Sequence, residues 1–154
     1  MEALTTLEIN EILKNNPVTR KKFVGTFPAC IIPMPGKNEY SFVSNTDSHD
    51  KPGEHWNSWV VNKDTVHFFD SFGRDIRDPT LPDYYRDFAI GFNRVVCNTQ
   101  QIQHFQSITC GYFCVHFIYI ISLGMNLKHF LSDYSQDLKS NDAIVYDIVN
   151  SIVY

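Results

Sequence analysis

The sequence predicts an α+β fold, on three observations. A helix-start signal stands at Thr5-Thr6-Leu7-Glu8, two neighbouring aromatic and β-branched runs occupy residues 56–61 and 65–69, and a long apolar stretch opens at Cys110-Gly111 and halts at Gly124. The expected order is helix, strands, helix, strand, helices.

Each element has a local reason. Thr5-Thr6-Leu7-Glu8 reads as a capping box in which Glu8 reaches back to Thr5, with Leu4 and Ile9 as the hydrophobic staple. Ile9, Ile12 and Leu13 share a face, and Asn16-Pro17 ends the helix because proline drives its predecessor out of the helical region. From Phe23 to Thr46 short apolar runs alternate with Gly and Pro. Cys30-Ile31-Ile32 and Tyr40 to Val43 read there as short strands, and Asn45 to Gly53 as a polar loop. Trp56 to Val61 and Thr65 to Phe69 make the strongest strand pair, joined by Asn62-Lys63-Asp64. Pro82 to Phe92 reads as a helix and Arg94 to Asn98 as a strand. Gly111 to Leu123 reads as a buried helix with Cys110 at its N-terminal edge and Gly124 as its stop. A short helix is expected at Leu127 to Tyr134. The last begins at Asn141 as N-cap, with Ile144, Val145, Ile148, Val149 and Ile152 on one face.

At 154 residues the chain has the size of one domain, and residues 1–154 are read as one. Hydrophobic residues at 44% against 19% charged supply a core and exclude disorder. A net charge of −4 argues against a broadly basic nucleic-acid binder, and the triplet Arg20-Lys21-Lys22 reads as solvated surface. The apolar run from Val115 to Leu123, interrupted by His116 and Ser122, is too short to span a bilayer, so no membrane partner is expected. The opening Met-Glu-Ala-Leu-Thr-Thr has neither the basic nor the apolar region of a secretory signal. Cys30, Cys97, Cys110 and Cys114 are therefore expected as thiols in an intracellular reducing compartment.

The chemistry starts from the strand pair. With Val60 opposite Thr65, paired indices sum to 125 and His55 opposes Asp70, on one face with Cβ atoms about 4.5–5.5 Å apart. Asp70 would then fix the tautomer of His55 and favour its charged form. Cys110 is the third candidate: at a helix N-terminus, unpaired N–H groups and the helix dipole stabilise a thiolate. Upstream, the stretch Gln100 to Gln106 holds several amides that could donate to an oxyanion beside the Cys110 backbone N–H.

His55-Trp56, then Phe68-Phe69-Asp70-Ser71-Phe72-Gly73, then Gln103 ahead of Thr109-Cys110-Gly111-Tyr112-Phe113-Cys114 resemble the adenain-type cysteine proteases. These are the adenovirus endopeptidase and its relatives, and the pattern is more distantly similar to the ubiquitin-like-protein proteases. The capping box and Phe23-Val24-Gly25-Thr26-Phe27 also look like the adenain start, so the likeness covers roughly residues 5 to 125. The resemblance implies a papain-like, adenain-like fold: a central, mostly antiparallel sheet, flanking helices, and the nucleophile at the N-terminus of a buried helix. It implies a triad of His55, Asp70 and Cys110 with Gln103 in the oxyanion hole, acting as a thiol endopeptidase. Cleavage would follow glycine in Gly-Gly or Gly-X-Gly contexts of viral or virus-like precursor structural proteins bound as extended peptides, in a host nucleus or virion. A narrow slot walled by Trp56 would account for the glycine. The adenovirus enzymes carry glutamate where this chain has Asp70, which the ubiquitin-like-protein proteases share, and this chain is shorter at the C-terminus. Their activation by a disulfide-linked peptide and by DNA involves a cysteine for which Cys97 is the only nearby counterpart, closer to Gln103 than the pattern requires. No cofactor is therefore expected as a requirement; an activating peptide or DNA rests on family analogy alone.

Blander readings stand beside these. Cys114, one turn beyond Cys110, reads as a small core residue, and Trp56 equally as packing. Cys110, Cys114, His104 and His116 have the types of zinc ligands but no familiar spacing. His49, His67, His104, His116 and His129 read as ordinary histidines, with His67 off the His55–Asp70 face if alternation persists. Asp47 and Asp50 are weaker orienters for His55 because a loop holds geometry less well than a strand. Gln101 and Gln106 compete with Gln103, which the adenain-like spacing favours. Two alternatives of function stand: removal of ubiquitin-like modifiers after their Gly-Gly tails, and a non-catalytic peptide-binding module on the same fold.

Overall fold

Five strands pair in chain order into one sheet, β1 (Phe23–Phe27), β2 (Glu39–Asn45), β3 (Trp56–Asn62), β4 (Thr65–Phe69) and β5 (Arg94–Cys97). These come from a computed structural model that describes residues 1–47 and 55–153. His49, Asp50 and most of the expected polar loop lie outside the described residues. The three central strands are antiparallel, as expected for most of the sheet, while β1 joins β2 and β5 joins β4 in parallel. Parallel neighbours need crossovers. The second crossover carries the helix α2 (Asp83–Ala89), shorter than the expected Pro82 to Phe92.

Strand alternation sorts side chains between two apolar layers. Tyr40, Phe42, Trp59, Val61, Val66 and Phe68 face α2, where Trp59 stacks on Phe42 at 5.6 Å and meets Tyr85 edge-on at 5.0 Å. Val43, Val60 and Phe69 face α1 (Thr6–Asn15), α3 (Cys110–Ser122), α4 (Leu127–Leu131) and α5 (Leu138–Ile152). Helix α1 starts at the expected capping box, with both reciprocal bonds formed and Leu4 and Ile9 buried. Helix α3 is buried on nearly every side, and Gly124 follows it at φ +87, a left-handed backbone that ends a helix.

Four expectations need correcting. Cys30-Ile31-Ile32 is not a strand; the first strand is Phe23–Phe27, which Gly25 had obscured. The hairpin turn is the pair Lys63-Asp64, because Lys63 adopts φ 57, so Asn62 pairs with Thr65 and the indices sum to 127. The last helix is capped by Asp137, whose side chain accepts from Ser140 N. Asn141 is instead buried inside it, donating to Ile102 O at 3.0 Å and Ser135 O at 2.7 Å. Its inner face is Asn141, Val145 and Val149, with Ile152 packed against the core as expected, and Ile144 is exposed.

Candidate active site

The site is assembled where β3 begins, β4 ends and α3 begins. His55 immediately precedes β3 and Asp70 immediately follows β4, so neither belongs to the regular ladder. The two-residue displacement of register is even, and an even displacement keeps side chains on the same face. His55 and Asp70 therefore still meet, with Nε2 and Oδ1 2.6 Å apart. Phe72 takes the place opposite His55 and stacks on its ring at 4.6 Å. His67 pairs with Val60 and lies off that face, as alternation requires.

Asp70 is completely buried and accepts on both oxygens. Oδ1 takes His55 Nε2 and Asn57 Nδ2 at 3.0 Å; Oδ2 takes Arg74 Nε at 2.7 Å and Arg74 N at 3.2 Å. Burial pushes this carboxyl up, but the hydrogen bonds and charges of His55 and Arg74 outweigh it and hold the group at about 2. His55 shows the reciprocal effect. Burial disfavours its charged form, yet hydrogen bonding to Asp70 and then to Cys110 raises it to about 9. With Nε2 committed to Asp70, Nδ1 is the nitrogen left for the Cys110 thiol.

Cys110 is the first residue of α3. The N-cap position is held by Thr109, whose hydroxyl makes no capping bond and instead donates to Asp142 Oδ1 at 2.7 Å. The first N–H groups of the helix therefore keep their donating capacity beside the sulfur. Gly111 lets this end of α3 approach its neighbours: a Cβ there would lie 3.1 Å from Leu4 Cβ and 3.4 Å from Trp56 Cδ1. Trp56 in turn donates Nε1 to Leu4 O at 3.3 Å.

A groove of about 1210 Å³ runs over these groups, lined by His55, Trp56, Phe72, Arg74, Gln103 and Cys110 among others. Of the three competing amides only Gln103 lines it. Gln103 is buried, while Gln101 and Gln106 are exposed, Gln101 donating to Gln103 O at 3.0 Å. Gln103 gives one Nε2 proton to Ser107 O at 3.0 Å; among the described residues no acceptor meets the other. Asp47 also lines the groove, without bonding His55.

The other candidates have structural partners. Cys114 is fully buried, with its thiol pushed well up by burial. His116 sits inside α3 with Nδ1 2.6 Å from Tyr134 Oη, and burial lowers it to about 4. Among the described residues no group of three or more His, Cys, Asp or Glu could hold a metal ion. No helix among the described residues is long and apolar enough to cross a membrane. Asn57 and Arg74, both bonded to Asp70, escaped the sequence reading. Continuing the correct register past β4 puts Asn57 opposite Asp70, so the turn type was the missing signal.

No family model and no curated protein matches the chain. Among solved structures it is similar to the crystal structure of the ASFV pS273R protease, with TM-score 0.63 and 15% identity over 94% of this chain and 66% of that one. The selenomethionine form of the same protease gives TM-score 0.58 and 17% identity over 94% of this chain and 67% of that one. The chain thus spans about two thirds of the length of those structures. At such identity the likeness concerns the fold, and the fold of this chain is the papain-like cysteine protease fold, a five-stranded sheet with flanking helices and Cys110 opening the buried one.

Proposed function

We propose that this chain is a cysteine endopeptidase, with Cys110 as nucleophile, His55 as acid and base, Asp70 as orienter and Gln103 as oxyanion donor. The observation that carries the reading is the 2.6 Å bond that holds His55 to the buried Asp70, with His55 and Cys110 lining the same open groove. The thiolate attacks the scissile carbonyl, forming a C–S bond, while Gln103 Nε2 and the Cys110 N–H take the oxyanion. The imidazolium passes its proton to the leaving amine as the C–N bond breaks. Water, deprotonated by His55, then cleaves the thioester and releases the acid. No cofactor enters these steps.

The substrate class proposed is an extended peptide with glycine before the scissile bond, from a viral or virus-like precursor structural protein. Support comes from the sequence pattern around His55-Trp56 and Cys110-Gly111 and from Trp56 lining the groove, as a wall for a narrow slot requires. Cleavage of Gly-Gly and Gly-X-Gly peptides by the wild type, abolished in Cys110→Ala, is the expected result. Ubiquitin-like conjugates offered in parallel distinguish modifier removal from precursor cleavage. Equal, slow alkylation of all four cysteines would overturn the enzyme reading in favour of a peptide-binding module, and alanine accepted as fast as glycine would remove the slot.

A further inference from the structure

The turn after β4 touches both halves of the site. Asp70 holds the imidazole, and the next residue, Ser71, has no part in the steps above. Ser71 is fully buried, and its hydroxyl donates to Gln103 Oε1 at 2.5 Å. Its backbone carbonyl accepts from Ile102 N at 2.9 Å and Gln103 N at 3.1 Å. Gly73, at φ +79, completes the clamp: a Cβ there would lie 2.7 Å from Gln101 N and 2.8 Å from Gln100 C. Residues 70–73 and 100–103 are therefore held together by backbone as well as side chains.

The two contacts of the Gln103 amide define its orientation. Ser107 O can only accept, so it demands Nε2; Ser71 Oγ supplies the matching donor to Oε1. A reversed amide would set Oε1 against the Ser107 carbonyl. We propose that Ser71 is a positioning residue for the oxyanion donor, its hydroxyl keeping the Gln103 amide plane fixed so that the second Nε2 proton stays aimed into the groove. Adjacent residues of one turn thereby orient the imidazole and the amide. The inference rests on the cysteine-protease reading above. It matters because an oxyanion donor is effective when it needs no rearrangement as charge develops.

The test separates acyl transfer from simple alkylation. Peptide cleavage forms an oxyanion, whereas iodoacetamide attack by the same thiol does not. Ser71→Ala should lower kcat about 10- to 100-fold while KM and the Cys110 alkylation rate stay within about twofold. In a Gln103→Ala background the same change should cost nothing further. Full additivity, or an alkylation rate that falls with kcat, overturns the proposal, since Ser71 would then act elsewhere. A wild-type measurement covers a variant that does not fold. The side-chain amide of Gln103, assigned by its loss in Gln103→Ala, should show a 15N NMR order parameter as high as rigid backbone, and a value below about 0.6 overturns the proposal. If the wild type cleaves no glycine peptide, the protease reading fails, and the NMR result still decides the role of Ser71.

Discussion

Asp70→Asn removes one charge and keeps the shape, so its cost can be worked bond by bond. Asp70 accepts four hydrogen bonds, two on each oxygen, and a carboxamide has only one accepting end. Either orientation turns an NH₂ against two donors. The cheaper one faces Arg74, whose side chain is 24% exposed and can turn to water, whereas His55 and Asn57 are buried. The stranded Arg74 backbone N–H costs about 1–3 kcal/mol. His55 also loses its counter-charge. Its rise from 6.5 to about 9 corresponds to about 3 kcal/mol. Cys110 shares in that rise, so the carboxylate contributes on the order of 2 kcal/mol. The signs follow from linkage. His55, raised on folding, stabilises fully below pH 6.5 and loses its contribution as pH climbs through 9. Asp70, depressed on folding, stabilises above pH 3.8 and loses its contribution as pH falls through 2. Urea unfolding of wild type and variant between pH 2 and 10 should show the variant about 3–5 kcal/mol weaker near pH 5, with both limbs flattened. Iodoacetamide labelling of Cys110 should lose the part of its pH dependence that reflects His55 at about 9. A variant whose stability declines between pH 6.5 and 9 as steeply as the wild type would refute the reasoning.

Two further outcomes concern the core. Gly111→Ala gains about 1 kcal/mol of helix propensity but forces a methyl to 3.1 Å from Leu4 Cβ and 3.4 Å from Trp56 Cδ1. With overpacking at about 1–3 kcal/mol, the melting temperature should fall by about 2–4 °C, and a rise would show that the α1–α3 seam is slack. His116, lowered by burial to about 4, stays neutral in the fold while the unfolded chain takes up its proton near pH 6.5. Stability should therefore fall by about 3 kcal/mol from pH 6.5 to 4, and His116→Gln should remove that slope in urea titrations.

The ends of the helices were legible wherever a side chain serves the backbone directly. Thr5 and Glu8 form both bonds of the capping box, and Gly124 occupies the left-handed position that stops α3. Where two residues competed for one task the sequence was ambiguous. Asp137 and Asn141 are both good caps, and long-range demand decided between them: Asn141 is needed inside, tying Ile102 O and Ser135 O. Lys63 at φ 57 carries no compositional signal, so the hairpin register came out two residues away. The meeting of His55 and Asp70 survived because face depends on parity, while the partners Asn57, Ser71 and Arg74 depend on register and turn geometry and were invisible.

Helix α3 places the candidate thiol on the segment whose side chains are almost all withdrawn from water, from Cys110 through Ile118. From Phe113 onward, where the backbone bonds of the helix begin, amides so enclosed exchange with solvent only when the molecule opens as a whole. The groove wall beyond the clamped Gln103 is more open, with Phe105 and Ile108 exposed. On warming, the reactive sulfur should thus outlast the groove wall that makes it useful, and loss of turnover would precede loss of nucleophilicity.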